Sequence, residues 1–159
     1  MKYANKLTRE ATRHSAAEID ALVKSRNPGT PGFLTAGRTA RKHEWVAAAS
    51  ALRKAGFEPV AHIAARRLTS AAHLDDLLDR LHGEATMRRL LVIGGDVDTS
   101  GPFADALSVI QKGRLRDAGI EEVAIGGYPE GHPRITPERL EAALDQKIAT
   151  ARAAGLGVT

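Results

Sequence analysis

The sequence predicts an α/β fold, a single domain over residues 1–159 built on a parallel β-sheet. Short apolar runs recur roughly every 30 residues, and the segments between them have the apolar spacing of helices. Apolar residues make up 43% of the chain and charged residues 26%, as in an ordinary globular protein. This alternation of strands and helices is compatible with two architectures, a doubly wound open sheet and a (βα) barrel.

Four apolar runs are the strand candidates, at residues 32–36, 59–64, 90–93 and 122–125. A helix rich in alanine is expected over 43–54, and a second follows a cap at Thr69 or Ser70. A third helix is indicated by the spacing of Phe103, Ala106 and Ile110. The last helix opens at residues 136–137, where a cap residue precedes proline, and ends at Gly155. Residues 1–29 fit a short first βα unit, with a strand near 8–13 and a helix near 16–24.

Composition excludes several classes of function. The chain has no cysteine, so disulfides, thiolate metal sites and cysteine nucleophiles are ruled out. Its net charge is +4, but the basic residues are mixed with acids and aromatic residues amount to only 4%, so we expect no nucleic-acid binding. No signal-like or membrane-spanning apolar stretch is present, which predicts a cytoplasmic protein without membrane association.

Polar and glycine residues follow four successive strand candidates. They are Thr35, then His62 with the arginines of residues 66–67, then Gly94-Gly95-Asp96, and finally residues 126–133. In parallel α/β folds, ligands bind at the carboxyl ends of the strands, so these groups are expected to share one rim. The sequence therefore predicts a ligand site there, with no metal.

Each of these residues also has a simpler structural interpretation. A histidine at a strand end is often a structural hydrogen-bonding group, and Gly94-Gly95 is compatible with a plain turn. Glycine pairs also let backbone N–H groups approach a phosphate or a ring edge. Lys147 lies on the apolar side of the last helix, where it either extends its amine to solvent or contacts a phosphate.

Four segments resemble the methylenetetrahydrofolate reductase family. Residues 124–133 (AIGGYPEGHP) are similar to its strand-five signature, and residues 58–63 (EPVAHI) to its PVAHL strand. Residues 91–96 (LVIGGD) are similar to its LALRGD strand, and the region from Lys147 to Gly155 to its LKRKVDAGA helix. The resemblance covers about residues 30 to 159, and residues 64–68 (AARRL) are similar to a divergent bacterial branch.

The resemblance implies a (βα)₈ TIM barrel that reduces 5,10-methylenetetrahydrofolate to 5-methyltetrahydrofolate. The hydride comes from NADH or NADPH through FAD, or directly in divergent members. The folate substrate places such an enzyme in one-carbon metabolism and methionine biosynthesis. By resemblance, Asp96 would lie beside the flavin ring and take part in catalysis. The residues that would hold the cofactor are Thr35, His62, Gly95, Asp96, Gly127, Tyr128, His132 and Lys147.

The implied reaction needs an acid that protonates a folate nitrogen, and the family carries a glutamate for this purpose on its first strand. The aligned residue is Glu10. Such an acid needs a raised pKa, whereas Arg9 and Arg13 are close in sequence and a neighbouring guanidinium lowers a carboxyl pKa. The other interpretation of Glu10 is an exposed residue of a frayed terminus.

Two departures from the family pattern affect the prediction. The family's arginine before Gly-Asp is Gly94 here, and the sequence ends at residue 159, where a sixth strand would begin. A complete barrel has about 250 residues. We therefore expect an incomplete barrel of five to six βα units, which is either a fragment or associates with itself or with a complementing chain. The alternatives are a non-catalytic half-barrel that binds a nucleotide or a partner, and a flavodoxin-like open sheet.

Overall fold

The computed structural model describes residues 9–11, 31–35, 42–98, 101–133 and 135–159. They contain a six-stranded sheet and helices that connect its strands. The strands are β1 (Arg9–Ala11), β2 (Pro31–Thr35), β3 (Glu58–Ala64), β4 (Arg89–Ile93), β5 (Glu122–Ile125) and β6 (Gly157–Val158). The helices are α1 (Lys42–Lys54), α2 (Ala71–Ala85), α3 (Ala106–Lys112) and α4 (Pro137–Ala153), with a 3₁₀ turn at Ala65–Arg67.

The strands lie in the sheet in the order in which they occur along the chain. Each strand pairs in parallel with the next, from β1 to β6. A doubly wound sheet has a point at which the strand order reverses. The described strands have no such reversal, so the parallel α/β fold is confirmed and the flavodoxin-like order is wrong for this part of the chain. The sheet does not close on itself, and β1 and β6 are its outer described strands.

The two faces of the sheet are covered differently. Side chains alternate between faces along a strand, and one set is fully buried in a cluster with helix residues: Leu34, Ala61, Ile63, Leu90, Val92 and Val123. On the opposite face, His62, Leu91 and Ala124 form one row in the strand register and are only half-buried. The helices therefore cover one face, and the other remains accessible near its carboxyl end.

The sequence signals place the helix ends well, with one exception. Ser70 caps α2 by accepting a hydrogen bond from the His73 backbone N–H. Thr136 stands at the cap position before the proline that opens α4, but its side chain makes no cap hydrogen bond. The exception is α3, because Asp105 and Ser108 form a capping box and the helix begins only at Ala106. Phe103 is buried but lies outside the helix, so its helical spacing there was misleading.

The first and last described strands lie where the sequence predicts strands. The short β1 lies within the strand expected near residues 8–13, and β6 begins where a sixth strand was expected. The helix expected at residues 16–24 lies outside the described residues. Of the helices that the structure describes, none has both the length and the apolar character needed to cross a membrane.

Candidate functional site

A cleft of about 800 Å³ opens at the carboxyl ends of β3, β4 and β5. Its size lies within the range of small-molecule and cofactor sites. The residues that line it follow these three strands and are His62, Ala64, Arg66, Arg67, Ile93, Gly94, Gly95, Asp96, Tyr128, His132 and Ile135. The rim predicted from the sequence therefore exists as one concave surface.

His62 lies on the accessible face of the sheet, close to the end of β3. It is paired in register with Thr35 of β2 and with Leu91 of β4. The ring is half-buried, and its Nε2 atom is fully buried. The His62 side chain therefore reaches the cleft with only part of its ring exposed, while its Nε2 atom is shielded from solvent.

The turn after β3 is joined to the loop after β4 through Arg66. Its backbone N–H donates to the Gly94 carbonyl at 3.0 Å, and its Nε donates to the Ala104 carbonyl at 2.9 Å. Its Nη1 lies 3.4 Å from the Gly95 carbonyl, at the long end of the hydrogen-bond range. Arg66 thus holds the two loops of the cleft at a fixed separation.

Gly94 and Gly95 have different structural roles in the β4 loop. Gly95 has φ of +94°, a backbone conformation that favours glycine, and a Cβ there would be in ordinary contact with the Ala64 Cβ at 3.4 Å. A Cβ on Gly94 would have nothing within 4 Å. Gly94 therefore leaves open space at the cleft, where the resembling family has an arginine.

Asp96 follows Gly95 and forms an ion pair with Arg67. The Arg67 Nη2 atom lies 2.9 Å from the Asp96 Oδ1 atom, and the two side chains are 27% and 71% exposed, respectively. The pair crosses from the turn after β3 to the loop after β4 at the mouth of the cleft.

The loop after β5 supplies the third side of the cleft. Tyr128 has φ of +49°, which is uncommon for a residue with a bulky side chain. Its carbonyl accepts a hydrogen bond from the Gly131 N–H at 2.8 Å, which closes a turn through Pro129. The Tyr128 ring meets the His132 ring edge to face at 5.6 Å between centroids, and half of Tyr128 remains exposed. The loop thus presents a phenol and an imidazole side by side.

Lys147 of α4 lies next to the base of this loop. Its Nζ is 3.4 Å from the Gly126 carbonyl, and the residue is half-buried. Burial lowers the pKa of the Lys147 amine, and the attraction of Asp105 offsets part of that effect. Gly127 packs toward the same helix, since a Cβ there would lie 3.9 Å from the Leu144 Cδ2 atom.

The structure brings together a large part of the predicted site. Five of the predicted residues line the one cleft: His62, Gly95, Asp96, Tyr128 and His132. Gly127 and Lys147 adjoin it through the β5 loop. In the strand register, Thr35 of β2 lies beside His62 of β3. Glu10 of β1 lies in a different row, beside Phe33 of β2 and Val60 of β3. Glu10 therefore lies two residues nearer the amino ends of the strands than the row of Thr35 and His62.

Apolar residues of the cleft were not predicted from the sequence. Ala64, Ile93 and Ile135 line it, and Ile135 is 39% exposed. Ile93 was seen only as a strand residue, and alternation along β4 places it on the accessible face with Leu91. Ile135 follows the motif and forms an isolated antiparallel bridge with His132, which a local pattern does not reveal.

Among the described residues, the lining of the cleft carries a small net positive charge and no candidate metal centre. Its lining contains two arginines and two histidines, and its carboxylate among the described residues is that of Asp96. Within the described ranges, no group of three or more His, Asp or Glu side chains is arranged to hold a metal ion. A planar, anionic organic ligand suits this lining better than a cation does.

The residues present also fit a flavin-type cofactor. The open space beside Gly94 admits a ring edge, because no side chain fills it. His62, His132 and Tyr128 line the same cleft. A comparison of the chain with models of known protein families finds no match.

Proposed function

We propose that the protein is an oxidoreductase of the methylenetetrahydrofolate reductase type, with FAD bound in the carboxyl-edge cleft and NADH or NADPH as donor. One observation supports this most strongly. Segments that resemble separate family motifs, at residues 58–63, 91–96 and 124–133, contribute side chains to the same cleft. Parallel strand order by itself brings these strand ends to one edge, so the support lies in which residues stand there. His62, Asp96, Tyr128 and His132, which the resemblance assigns to the cofactor, all line the cleft.

The architecture supports a (βα)-barrel relationship. The strands follow one another in chain order, all parallel, with helices on one face and an accessible face that carries His62. In a (βα) barrel the helices form the outer layer, and the active site lies at the carboxyl ends of the strands. We propose that the described sheet is an arc of such a barrel.

The chain's own residues would bind and orient the cofactor, which supplies hydride-transfer chemistry when bound. His62 and Gly95 would contact the ring edge, with Asp96 beside it, while Tyr128 and His132 would cover the ring from the β5 loop. Lys147 and Thr35 would contact the ribityl chain or the phosphates. The positive lining favours the cofactor phosphates over water.

Glu10 is the proposed proton donor to the folate nitrogen. Its backbone register places it on β1, in the same parallel sheet as the cleft residues. The residue lies below the His62 row by about two residues of strand, or roughly 6–7 Å along the strand axis. This offset favours the second candidate function, a module that binds a nucleotide without catalysis.

Turnover distinguishes the two functions. The purified protein is incubated with methylenetetrahydrofolate and NADH or NADPH, with and without added FAD, and oxidation of the nicotinamide is followed by absorbance. The reductase proposal predicts folate-dependent oxidation that Glu10→Gln reduces by 10²-fold or more, since general-acid catalysis contributes roughly 10²–10⁴-fold. Turnover that survives Glu10→Gln undiminished would remove Glu10 from the mechanism.

Complete absence of folate-dependent oxidation under every cofactor condition would favour the binding module. The matched control is Glu44→Gln, which changes a glutamate on the exposed first turn of α1. Turnover of this variant should equal that of the parent protein, because α1 packs on the other face of the sheet.

A further inference from the structure

The two adjacent arginines of the cleft are engaged in different ways. Arg66 is bound to the protein's own carbonyls, through its backbone N–H and its guanidinium, at Gly94, Gly95 and Ala104. These contacts fix the 3₁₀ turn that also carries Arg67. The Arg67 guanidinium is therefore held at the mouth of the cleft by a turn that its neighbour anchors.

Among the residues that the structure describes, Arg67 uses few of its hydrogen-bond donors. A guanidinium has five N–H donors in a fixed fork that matches phosphate and carboxylate oxygens. The contact between Arg67 Nη2 and Asp96 Oδ1 uses one of them. Asp96 is 71% exposed and Arg67 27%, so water competes strongly for the carboxylate of this pair, and an ion pair with an exposed partner adds little stability. A ligand oxyanion can replace the carboxylate at small cost.

The other groups of the cleft favour such an exchange. Within the described part of the chain, the lining residues include two arginines and one carboxylate, that of Asp96. Replacing that carboxylate by a ligand oxyanion keeps the Arg67 charge balanced and adds a negative group to a positive surface.

We propose that Arg67 binds an oxyanion of the ligand, a phosphate or a carboxylate, and that the Asp96 carboxylate occupies this position until the ligand displaces it. The proposal goes beyond the reductase function, since it requires neither a flavin nor hydride transfer. It assigns a ligand-binding role to Arg67 and an anchoring role to Arg66.

The test measures the binding of two simple anions at constant ionic strength. Sodium pyrophosphate represents a phosphate source and glutarate a carboxylate source, and affinity is obtained by calorimetric titration. The variants are Asp96→Asn, Arg67→Gln and, as a matched control, Arg80→Gln, which breaks the exposed ion pair with Asp76 on α2. Circular dichroism confirms that each variant is folded.

Asp96→Asn should bind at least one anion several-fold more tightly than the parent protein, because the competing carboxylate is removed. A misfolded variant cannot produce this gain. Arg67→Gln should bind that anion about tenfold more weakly, as expected for the loss of a charge-assisted hydrogen bond. Arg80→Gln should match the parent. The anion that responds identifies the ligand group as phosphate or carboxylate.

Three results would overturn the proposal. One is an Asp96→Asn protein that binds both anions no more tightly than the parent does. Another is an Arg67→Gln protein whose affinities equal those of Arg80→Gln. The third is the absence of saturable binding of either anion to the parent and to Asp96→Asn.

Discussion

At the scale of single residues, Tyr128 combines an unfavourable backbone conformation with an exposed position at the cleft. Its φ of +49° lies in the left-handed region, and its side chain is 50% exposed. A residue with a Cβ loses about 1 kcal/mol in this region relative to glycine. The conformation turns the chain sharply after Gly127 and aims the ring at His132. We therefore interpret Tyr128 as a ligand-facing residue kept in place at some cost to stability.

Substitutions at Tyr128 test this interpretation. Tyr128→Gly should change the free energy of unfolding by less than about 0.5 kcal/mol, because relief of the left-handed conformation offsets glycine's greater unfolded-state entropy. Tyr128→Val should destabilise by about 1–2 kcal/mol, since a β-branched residue is strongly disfavoured there. Urea denaturation measures both. Equal stabilities of the Gly and Val variants would contradict the left-handed backbone.

Lys147 predicts a pH dependence of stability. Burial lowers the pKa of its amine from 10.5 in the folded protein. The unfolded chain then binds the proton more tightly than the folded protein does. The buried positive charge therefore lowers the free energy of unfolding, and this cost is fully present below the folded-state pKa. It is relieved as the pH rises from that pKa toward 10.5. Removing the amine should therefore help stability most at neutral pH.

The comparison uses Lys147→Met, with Lys54→Met as a control at an exposed position near the end of α1. Unfolding free energies are measured from neutral to alkaline pH without added cofactor. The advantage of Lys147→Met over the parent should shrink as the pH rises, and more than any change seen with Lys54→Met. A constant or growing difference would mean that burial does not penalise the Lys147 charge.

At the scale of elements, the loop before α3 is pressed against the segment that follows the 3₁₀ turn. A Cβ on Gly101 would lie 2.2 Å from the Leu68 carbonyl oxygen and 2.7 Å from the Thr69 carbonyl carbon. Both are backbone atoms, so the two segments would have to move apart. The same contact region contains the bond between Arg66 and the Ala104 carbonyl that supports the cleft.

Gly101→Ala should accordingly destabilise the protein by about 2 kcal/mol or more and weaken ligand binding. Gly83→Ala is the matched control, because a Cβ there has nothing within 4 Å and the residue lies inside α2. That variant should gain about 0.5–1 kcal/mol from helix propensity. Thermal unfolding distinguishes them, and a neutral Gly101→Ala would show that the close approach does not exist.

A second junction lies among α1, β3 and α2. Arg53 donates from Nη1 and Nη2 to both Glu58 carboxylate oxygens, at 2.6 and 2.7 Å. It also donates to the Ala85 and Thr86 carbonyls at the end of α2, at 3.0 and 2.9 Å. One guanidinium therefore joins two helix ends and a strand.

Arg53→Met should lower the free energy of unfolding by about 2–3 kcal/mol, because it leaves a partly buried carboxylate and two carbonyls without their donor. Arg80→Met, at an exposed pair within α2, should change it by less than about 0.5 kcal/mol. Equal changes in the free energy of unfolding for the two variants would mean that Arg53 stabilises the protein no more than an exposed charge does.

The elements also show what the sequence could and could not predict. Periodic segments such as residues 90–93 and the helix that follows Ser70 were predictable, because apolar spacing follows directly from strand and helix geometry. The start of α3 could not be predicted. The apolar spacing extends back to Phe103, whereas the capping box of Asp105 and Ser108 begins the helix at Ala106. The Arg53 junction was also unpredictable, because it depends on tertiary contacts across 32 positions.

At the scale of the whole molecule, consecutive strand order determines where the site forms. Parallel strands in chain order bring their carboxyl ends to one edge, so polar residues far apart in the sequence meet in one cleft. That convergence could be predicted for His62, Asp96 and Tyr128 from strand positions alone. The Arg67–Asp96 pair and the role of Ile135 could not, because they depend on loop conformations.

The central claim is that this cleft holds a flavin, and an absorbance spectrum tests it most directly. The purified protein is incubated with FAD, freed of excess cofactor, and measured in the visible region before and after denaturation. A His62→Ala variant is treated in the same way.

We expect flavin bands in the parent that denaturation releases into solution, and weaker bands in His62→Ala. A colourless parent protein after incubation with FAD would contradict the account of the cleft as a flavin site. Equal retention of flavin by the parent and His62→Ala would contradict the assignment of His62.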